Sequence, residues 1–246
     1  MWTMERIVKI GLVAALAGML FATSGCVRVE LPDPELIGDT VTVEREGAER
    51  AEVSLDMGAG KLEVTSGAVD LMEADFEYTR DRWEPDVSYD VAGGVGTLEV
   101  RTPRVPDFSF GSNDRYVWQL VLAEDVPMEL AVNLGAGQAD LDLGGIMLSD
   151  LTVDMGAGDT TVDLSGEPTM DLDAEINAGA GKLTLYVPRD AGVRVVGYKD
   201  GVGSYRADGF EIDGDALVND AYGESDHTYD IVLRRGVGEV VIEMVD

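Results

Sequence analysis

A Gly-x-Gly motif, set between two runs of alternating apolar and polar residues, recurs along this chain and limits how it can fold. The clearest copy is LTVDMGAGDTTVDL at residues 151–164. Copies centred at positions 59, 95 and 237 lie outside a regular central set. In that central set the first glycines, at positions 135, 156, 179 and 201, are spaced 21, 23 and 22 residues apart. This period is typical of one structural unit in a stacked β-solenoid.

The alternation of apolar and polar residues changes phase at each motif. Around the copy at 135–137, apolar side chains occupy positions 130, 132 and 134 before the glycines and positions 139, 141 and 143 after them. In a straight strand, this shift of one residue would expose the second apolar row to water. A bulge or turn avoids that exposure, because glycine accepts positive φ angles and close backbone approach. The predicted corner glycines are Gly58, Gly60, Gly135, Gly137, Gly156, Gly158, Gly179 and Gly181.

Turn-forming residues mark a second corner in each unit, at positions 144–145, 165–168 and 188–192. Each unit then contains two short strands with one apolar side, which it can bury only against stacked neighbours. The 30 glycines, with only 7% aromatic residues, also favour short strands and tight corners over long helices. The sequence therefore predicts an all-β protein of stacked short sheets, a parallel β-helix-like solenoid with Gly-x-Gly corners, preceded by a signal helix.

The N-terminal residues have the features of a secretory signal. Arg6 and Lys9 precede an apolar stretch at 10–22, which is short for a membrane span, and small residues lead to Cys26. The end of this segment resembles the lipobox of bacterial lipoproteins, although Thr23 stands where a lipobox usually has leucine. The resemblance implies that Cys26 is lipidated and becomes the new N-terminus. It implies an exported protein held at the membrane by lipid, at the outer membrane in a diderm. The alternative is an ordinary exported or membrane-anchored protein with an incidental cysteine.

The formal net charge of −30, from 48 acidic and 18 basic residues, restricts the partners of this chain. Repulsion from phosphates argues against nucleic acid, whereas cations and basic proteins are favoured. Stacking would bring outward carboxylates close together, and salt, bound divalent cations or raised pKa values must relieve their repulsion. We predict a solvated acidic face with no dedicated metal site. Loose divalent-cation binding is the alternative, at Asp140, Asp142, Asp154 and Asp163.

The sequence gives little support to catalysis or to nucleotide binding. Lys61 and Lys182 follow Gly-Ala-Gly, but strand patterns come next instead of the helix that a phosphate-binding loop opens. Calcium-binding β-rolls repeat about every nine residues, far less than this period. His227 is the single histidine, and no carboxylate pair stands out as in glycosidases. We therefore predict no enzyme and no cofactor, with a polysaccharide-degrading β-helix enzyme as the weakest alternative.

Three segments resemble the bacterial toast-rack and putative-adhesin family of extracytoplasmic β-repeat domains. They are residues 130–166, residues 58–64 together with ADFEY at 74–78, and VNDAYGES at 218–225. That family is related to the C-terminal domains of proteins in the response to cell-wall-active antibiotics. The resemblance implies stacked sheets or a parallel β-helix outside the cytoplasm, and it implies no catalytic residues.

These observations together predict the organisation and role of the chain. We expect a lipoprotein signal peptide at 1–25, a tether at 26–45, an N-terminal toast-rack-like β domain or cap at 46–129, and a continuous repeat solenoid at 130–246. We expect a lipid-anchored structural, adhesive or envelope-stress interaction module, whose partner is an envelope protein or a glycan. A module that binds divalent cations or polysaccharide is the alternative.

Overall fold

The computed structural model describes residues 35–104 and 113–245, which are built almost entirely from β-strands. The predicted signal peptide and Cys26 lie outside the described residues. Within the described ranges, no helix has the length and apolar content needed to cross a bilayer. The strands, in chain order, are β1 (Ile37–Val43), β2 (Arg50–Ala68), β3 (Met72–Tyr78), β4 (Asp86–Ala92), β5 (Val95–Arg101), β6 (Tyr116–Ala123), β7 (Met128–Asp142), β8 (Leu148–Asp163), β9 (Leu172–Pro188), β10 (Gly192–Val196), β11 (Val202–Ala207), β12 (Glu211–Asp213), β13 (Ala216–Val218) and β14 (Thr228–Val245).

Five long strands, β2, β7, β8, β9 and β14, lie side by side in a parallel ladder. Each carries a Gly-x-Gly in its middle, and the second glycines pair in register across the ladder. The segments before the glycines continue into β5 and β4 at one end and into β10, β13 and β12 at the other. The segments after the glycines continue into β6, β3 and β1, and into β11. We call these two sets of segments the first face and the second face.

The burial of side chains changes phase at the row of glycines, as a bend there requires. In β7, Leu130, Val132 and Leu134 are buried before the glycines, and Ala139 and Leu141 are buried after them. The apolar rows of both faces belong to one hydrophobic core. The prediction of an all-β, solenoid-like fold of stacked strands is therefore confirmed.

Aromatic side chains close the core at the β6 end of the ladder. Trp118 makes edge-to-face contacts with Phe76 and Tyr116 at ring-centroid distances of 5.7 and 5.6 Å. Trp83 contacts Tyr116 in the same way at 5.9 Å. Both tryptophans are fully buried. Since β2 is itself the first long strand of the ladder, the ladder includes part of the segment at 46–129, which we expected to be an N-terminal domain or cap continuous with the repeats.

The spatial order of the units differs from their order in the sequence. The C-terminal strand β14 pairs with β9 on one side and with β10 and β11 on the other. The unit containing Gly203 therefore stacks on Gly238 rather than on Gly181. Because β10 and β11 are short, each covers one half of β14, and the long C-terminal strand spans both faces.

Two further segments form antiparallel β-structure near the N-terminal end of the described residues. Gly94 lies in the turn between β4 and β5, where Gly93 and Gly94 have φ angles of +61° and +83°, as type I′ hairpins require. The Gly-x-Gly at 94–96 is therefore a hairpin and not a corner. The expected tether at 26–45 includes strand β1, which pairs antiparallel with β3.

Candidate functional site

A groove of about 660 Å³ lies on the outer surface of the second face, across β1, β3, β6, β2, β7 and β8. Its polar side chains alternate with the buried row and therefore face solvent. Among the described residues, its lining includes no basic side chain but six carboxylates. We call it the acidic groove, and its carboxylates are Glu63, Glu73, Asp75, Asp140, Asp142 and Asp163.

Hydrogen bonds hold several of these carboxylates in place. Gln119 Nε2 donates to Glu63 Oε2 at 2.7 Å, and Lys61 donates to the other oxygen of Glu63. The hydrogen bond from Lys61 holds the pKa of the Glu63 carboxyl below its usual value, while burial opposes this effect. Thr40 Oγ1 donates to Asp75 Oδ1 at 2.6 Å on the opposite wall. The groove is therefore ordered as well as acidic.

The structure brings together three of the four aspartates that we proposed for loose cation binding. Asp140, Asp142 and Asp163 line the acidic groove, and Asp142 lies directly beside Asp163 on the neighbouring strand. Asp154 precedes the glycine corner and lies on the first face instead. Among the described residues, no group of three or more His, Cys, Asp or Glu side chains is arranged to hold a metal ion.

The first face carries a row of carboxylates that the sequence analysis missed. The carboxylates of neighbouring strands are in register, so each stands about one strand spacing, about 4.8 Å, from the next. Ion pairs are found at the two ends of the row, where Arg50 lies 3.2 Å from Glu129 and Arg194 lies 3.4 Å from Asp230. Each carboxylate stands six positions before the first glycine of its motif, a spacing that could have revealed the row. We call it the acidic ladder, and it consists of Glu52, Glu129, Asp150, Asp173 and Asp230.

The corner glycines allow neighbouring strands to lie close together. Gly158 has a φ angle of +133°, and a Cβ atom added there would overlap the carbonyl oxygen of Gly137. The same overlap recurs along the row at the other second glycines of the long strands. On the β5 side, the backbone N–H of Gly58 donates to Thr102 Oγ1 at 3.0 Å. A second groove, of about 520 Å³, runs along this row.

His227 lies in the polar segment just before β14. Its Nδ1 is 3.9 Å from Asp171 Oδ1, which is too long for a hydrogen bond. The hydroxyl of Ser225 donates to the backbone carbonyl of His227 at 2.7 Å rather than to its ring. This geometry does not activate the serine as a nucleophile.

The geometry defines a β-solenoid whose two polar faces surround one core. Comparison with protein families identifies the family to which this fold belongs. Residues 32–186 match the family described as the N-terminal domain of toast_rack, DUF2154. The chain belongs to this toast-rack family, which confirms the resemblance inferred from its motifs. Among curated proteins, none is significantly similar to the chain.

One solved structure gives the same result for the fold. The structure of a putative cell adhesion protein from Clostridium sporogenes has a TM-score of 0.80 and 29% sequence identity, and the match covers 86% of this chain and 100% of that chain. A putative adhesin from Bacteroides fragilis matches with a TM-score of 0.28 and 12% identity, over 85% and 97% of the two chains. Another putative adhesin, from Parabacteroides distasonis, matches with a TM-score of 0.24 and 12% sequence identity, and the match covers 87% of this chain and 98% of that chain. These last two TM-scores are too low to support an argument.

Proposed function

We propose that this chain is a non-enzymatic module of the bacterial cell envelope that is anchored by a lipid on Cys26 and acts by binding other envelope components. The observation that carries the proposal is the likeness to the Clostridium sporogenes putative cell adhesion protein, which extends over the whole of that chain. Membership of the toast-rack family supports the same role. In a bacterium with two membranes, the anchor would hold the module at the outer membrane.

The acidic groove is the binding surface that we assign to a protein partner. Its six carboxylates attract a basic segment, and complementary charge increases both specificity and the rate of encounter. Hydrogen bonds to Glu63 and Asp75 order two of the acidic side chains before any partner arrives. A pre-ordered surface loses less conformational freedom on binding.

Two matched double variants test this assignment. D142N/D163N removes two charges from the acidic groove, whereas D150N/D173N removes two charges from the acidic ladder on the other face. We expect the purified chain to capture a basic envelope protein from an extract of its host, less so for the groove variant, and less at high salt. Equal capture by both variants would contradict the assignment, as would capture that does not respond to salt.

Divalent cations are the second candidate for this groove, favoured by the direct pairing of Asp142 with Asp163. Calcium binding would stabilise the folded state and raise the melting temperature of the chain. The D142N/D163N variant would then lose that rise, whereas D150N/D173N would keep it. A melting temperature that does not respond to millimolar calcium rules this candidate out.

The lipid anchor has a direct test, because Cys26 is the single cysteine of the chain. Cells grown with an alkyne-tagged fatty acid should label the wild-type protein and fractionate it with membranes. C26A should lose the label and leave the membrane fraction. Label that persists in C26A would contradict lipidation at this residue.

The absence of catalysis is tested by incubating the purified chain with cell-wall and acidic polysaccharides, with and without calcium. The release of oligosaccharides would refute it.

A further inference from the structure

The groove that runs along the row of corner glycines has a regular construction. We call it the corner groove. It is lined by three consecutive residues from each of the five long strands, and the third of each three is the first glycine of the motif. Those glycines are exposed and carry no side chain, so a strip of backbone remains open across five strands. Four strand separations give the strip a length of about 20 Å.

A row of polar side chains follows one edge of this strip. Asp56, Asn133, Asp154, Asn177 and Arg234 pair in register on successive strands, so carboxylates alternate with amides. Asn177 Nδ2 donates to Asp154 Oδ1 at 2.8 Å. Among the described residues, no hydrogen bond joins the Asn133 amide or the Asp56 carboxylate to another side chain. Asn177 also donates to Glu175 Oε1 at 3.1 Å and accepts from Arg234 at 3.4 Å, so its amide is fully hydrogen-bonded. The row therefore offers free donors and acceptors on β2, β7 and β8, at Asp56, Asn133 and Asp154, at intervals of about 4.8 Å.

The charge of the corner groove differs from that of the other surfaces. Two carboxylates, Asp56 and Asp154, and two guanidinium groups, Arg234 and Arg235, line it, and their formal charges cancel. Arg235 is buried and donates to the backbone carbonyls of Asp200, at 2.9 Å, and Ser204, at 2.7 Å. Arg234 is also ion-paired with Glu175, which stands two residues before Asn177 on β9. The residues that line the corner groove thus carry no net charge, although the net charge of the chain is −30.

We propose that the corner groove binds an uncharged, linear polysaccharide along the axis of the solenoid. Each sugar hydroxyl donates one hydrogen bond and accepts others, which matches alternating amides and carboxylates. A flat, extended β-1,4-linked chain repeats its rings at nearly the strand spacing, so successive sugars meet successive strands. The strip of glycines lets the sugar rings approach the backbone. The inference extends the proposed adhesive role by naming a glycan ligand and its site.

The test uses the purified full chain in mild detergent and cellohexaose as the probe. Backbone NMR shifts on titration should map to the first glycines of the long strands and to their flanking polar residues. Substitution N133L removes one amide without removing any hydrogen bond between described side chains. We expect the dissociation constant to rise about tenfold, as for one lost hydrogen bond. Q138L, an amide-to-leucine exchange on the second face that removes only a 3.4 Å hydrogen bond to Asp140, should leave the affinity unchanged.

Charge provides a second readout that does not depend on the folding of any variant. Polygalacturonate, an anionic linear polysaccharide, should not compete with cellohexaose, because the surrounding surface repels it. Shifts confined to the acidic groove, equal affinities for N133L and Q138L, or no shift at all would each overturn the inference. Partner capture that depends on the acidic groove would still support the proposed function, so the two proposals fail separately.

Discussion

Replacing one corner glycine should destabilise the fold far more than an ordinary glycine-to-alanine change. In G158A, the backbone must keep a φ angle of +133°, a region that is essentially restricted to glycine. The new Cβ atom must also displace the backbone carbonyl of Gly137 on the neighbouring strand. The first effect costs about 2 kcal/mol, and the second, as overpacking, costs about 2 kcal/mol more. We therefore expect G158A to lower the free energy of unfolding by about 4 kcal/mol.

Gly47 supplies a matched control for this substitution. Its φ angle is +82°, and an added Cβ would have no atom within 4 Å. G47A should therefore cost only the backbone strain, about 1 kcal/mol. Urea unfolding followed by tryptophan fluorescence measures both variants, with an unchanged slope as evidence that the folded state is comparable. For a chain of this size, the melting temperature of G158A should fall by about 12 °C. A loss in G158A no larger than in G47A would refute the close packing of the glycine row.

Three other substitutions test the core, the first face and the second face in turn. T160V should raise the free energy of unfolding by about 1 kcal/mol in urea, because the buried hydroxyl of Thr160 has no hydrogen-bond partner among the described residues; a loss of stability would contradict this. D150N should stabilise by about 0.5 kcal/mol at low salt by relieving the acidic ladder, and the gain should vanish in about 1 M NaCl; a salt-independent gain would count against repulsion. K61M should raise the pKa of Glu63 in an NMR titration. Since the folded-state pKa of Glu63 is lowered, the stability advantage of wild type over K61M should be present above pH 4.5 and disappear as the pH falls through that pKa; an advantage unchanged by acid would refute it.

The fold was predictable from the sequence because it depends on a local rule. The period of two on either side of each motif identifies the buried row, and the shift of one residue requires a bend. The same rule explains why Asp154 was grouped with the wrong carboxylates. Parity shows that a side chain points outward, but only its position before or after the bend decides which face it occupies.

The order of the strands was not predictable from the motif. The spacing of the glycines defines a unit, but a parallel ladder accepts any strand with the same register as a neighbour. Gly238 pairs with Gly181 and Gly203 in the same way that Gly158 pairs with its own neighbours. The motif at Gly94 forms a hairpin instead of a corner, and its glycines alone do not distinguish the two, since a hairpin and a corner both require glycine. The charge balance of the corner groove could not be predicted from the sequence either, because the residues that line the groove come from five separate strands.

The position of β14 determines when the molecule can be completed. The strand follows β10 and β11 in the sequence, yet it fills the gap between β9 on one side and β10 and β11 on the other. Until β14 has been synthesised, the ladder ends in an open edge at β9. The ladder can therefore be completed only after β14 is available, and a chain cut short before that strand would expose an unpaired strand edge that favours aggregation.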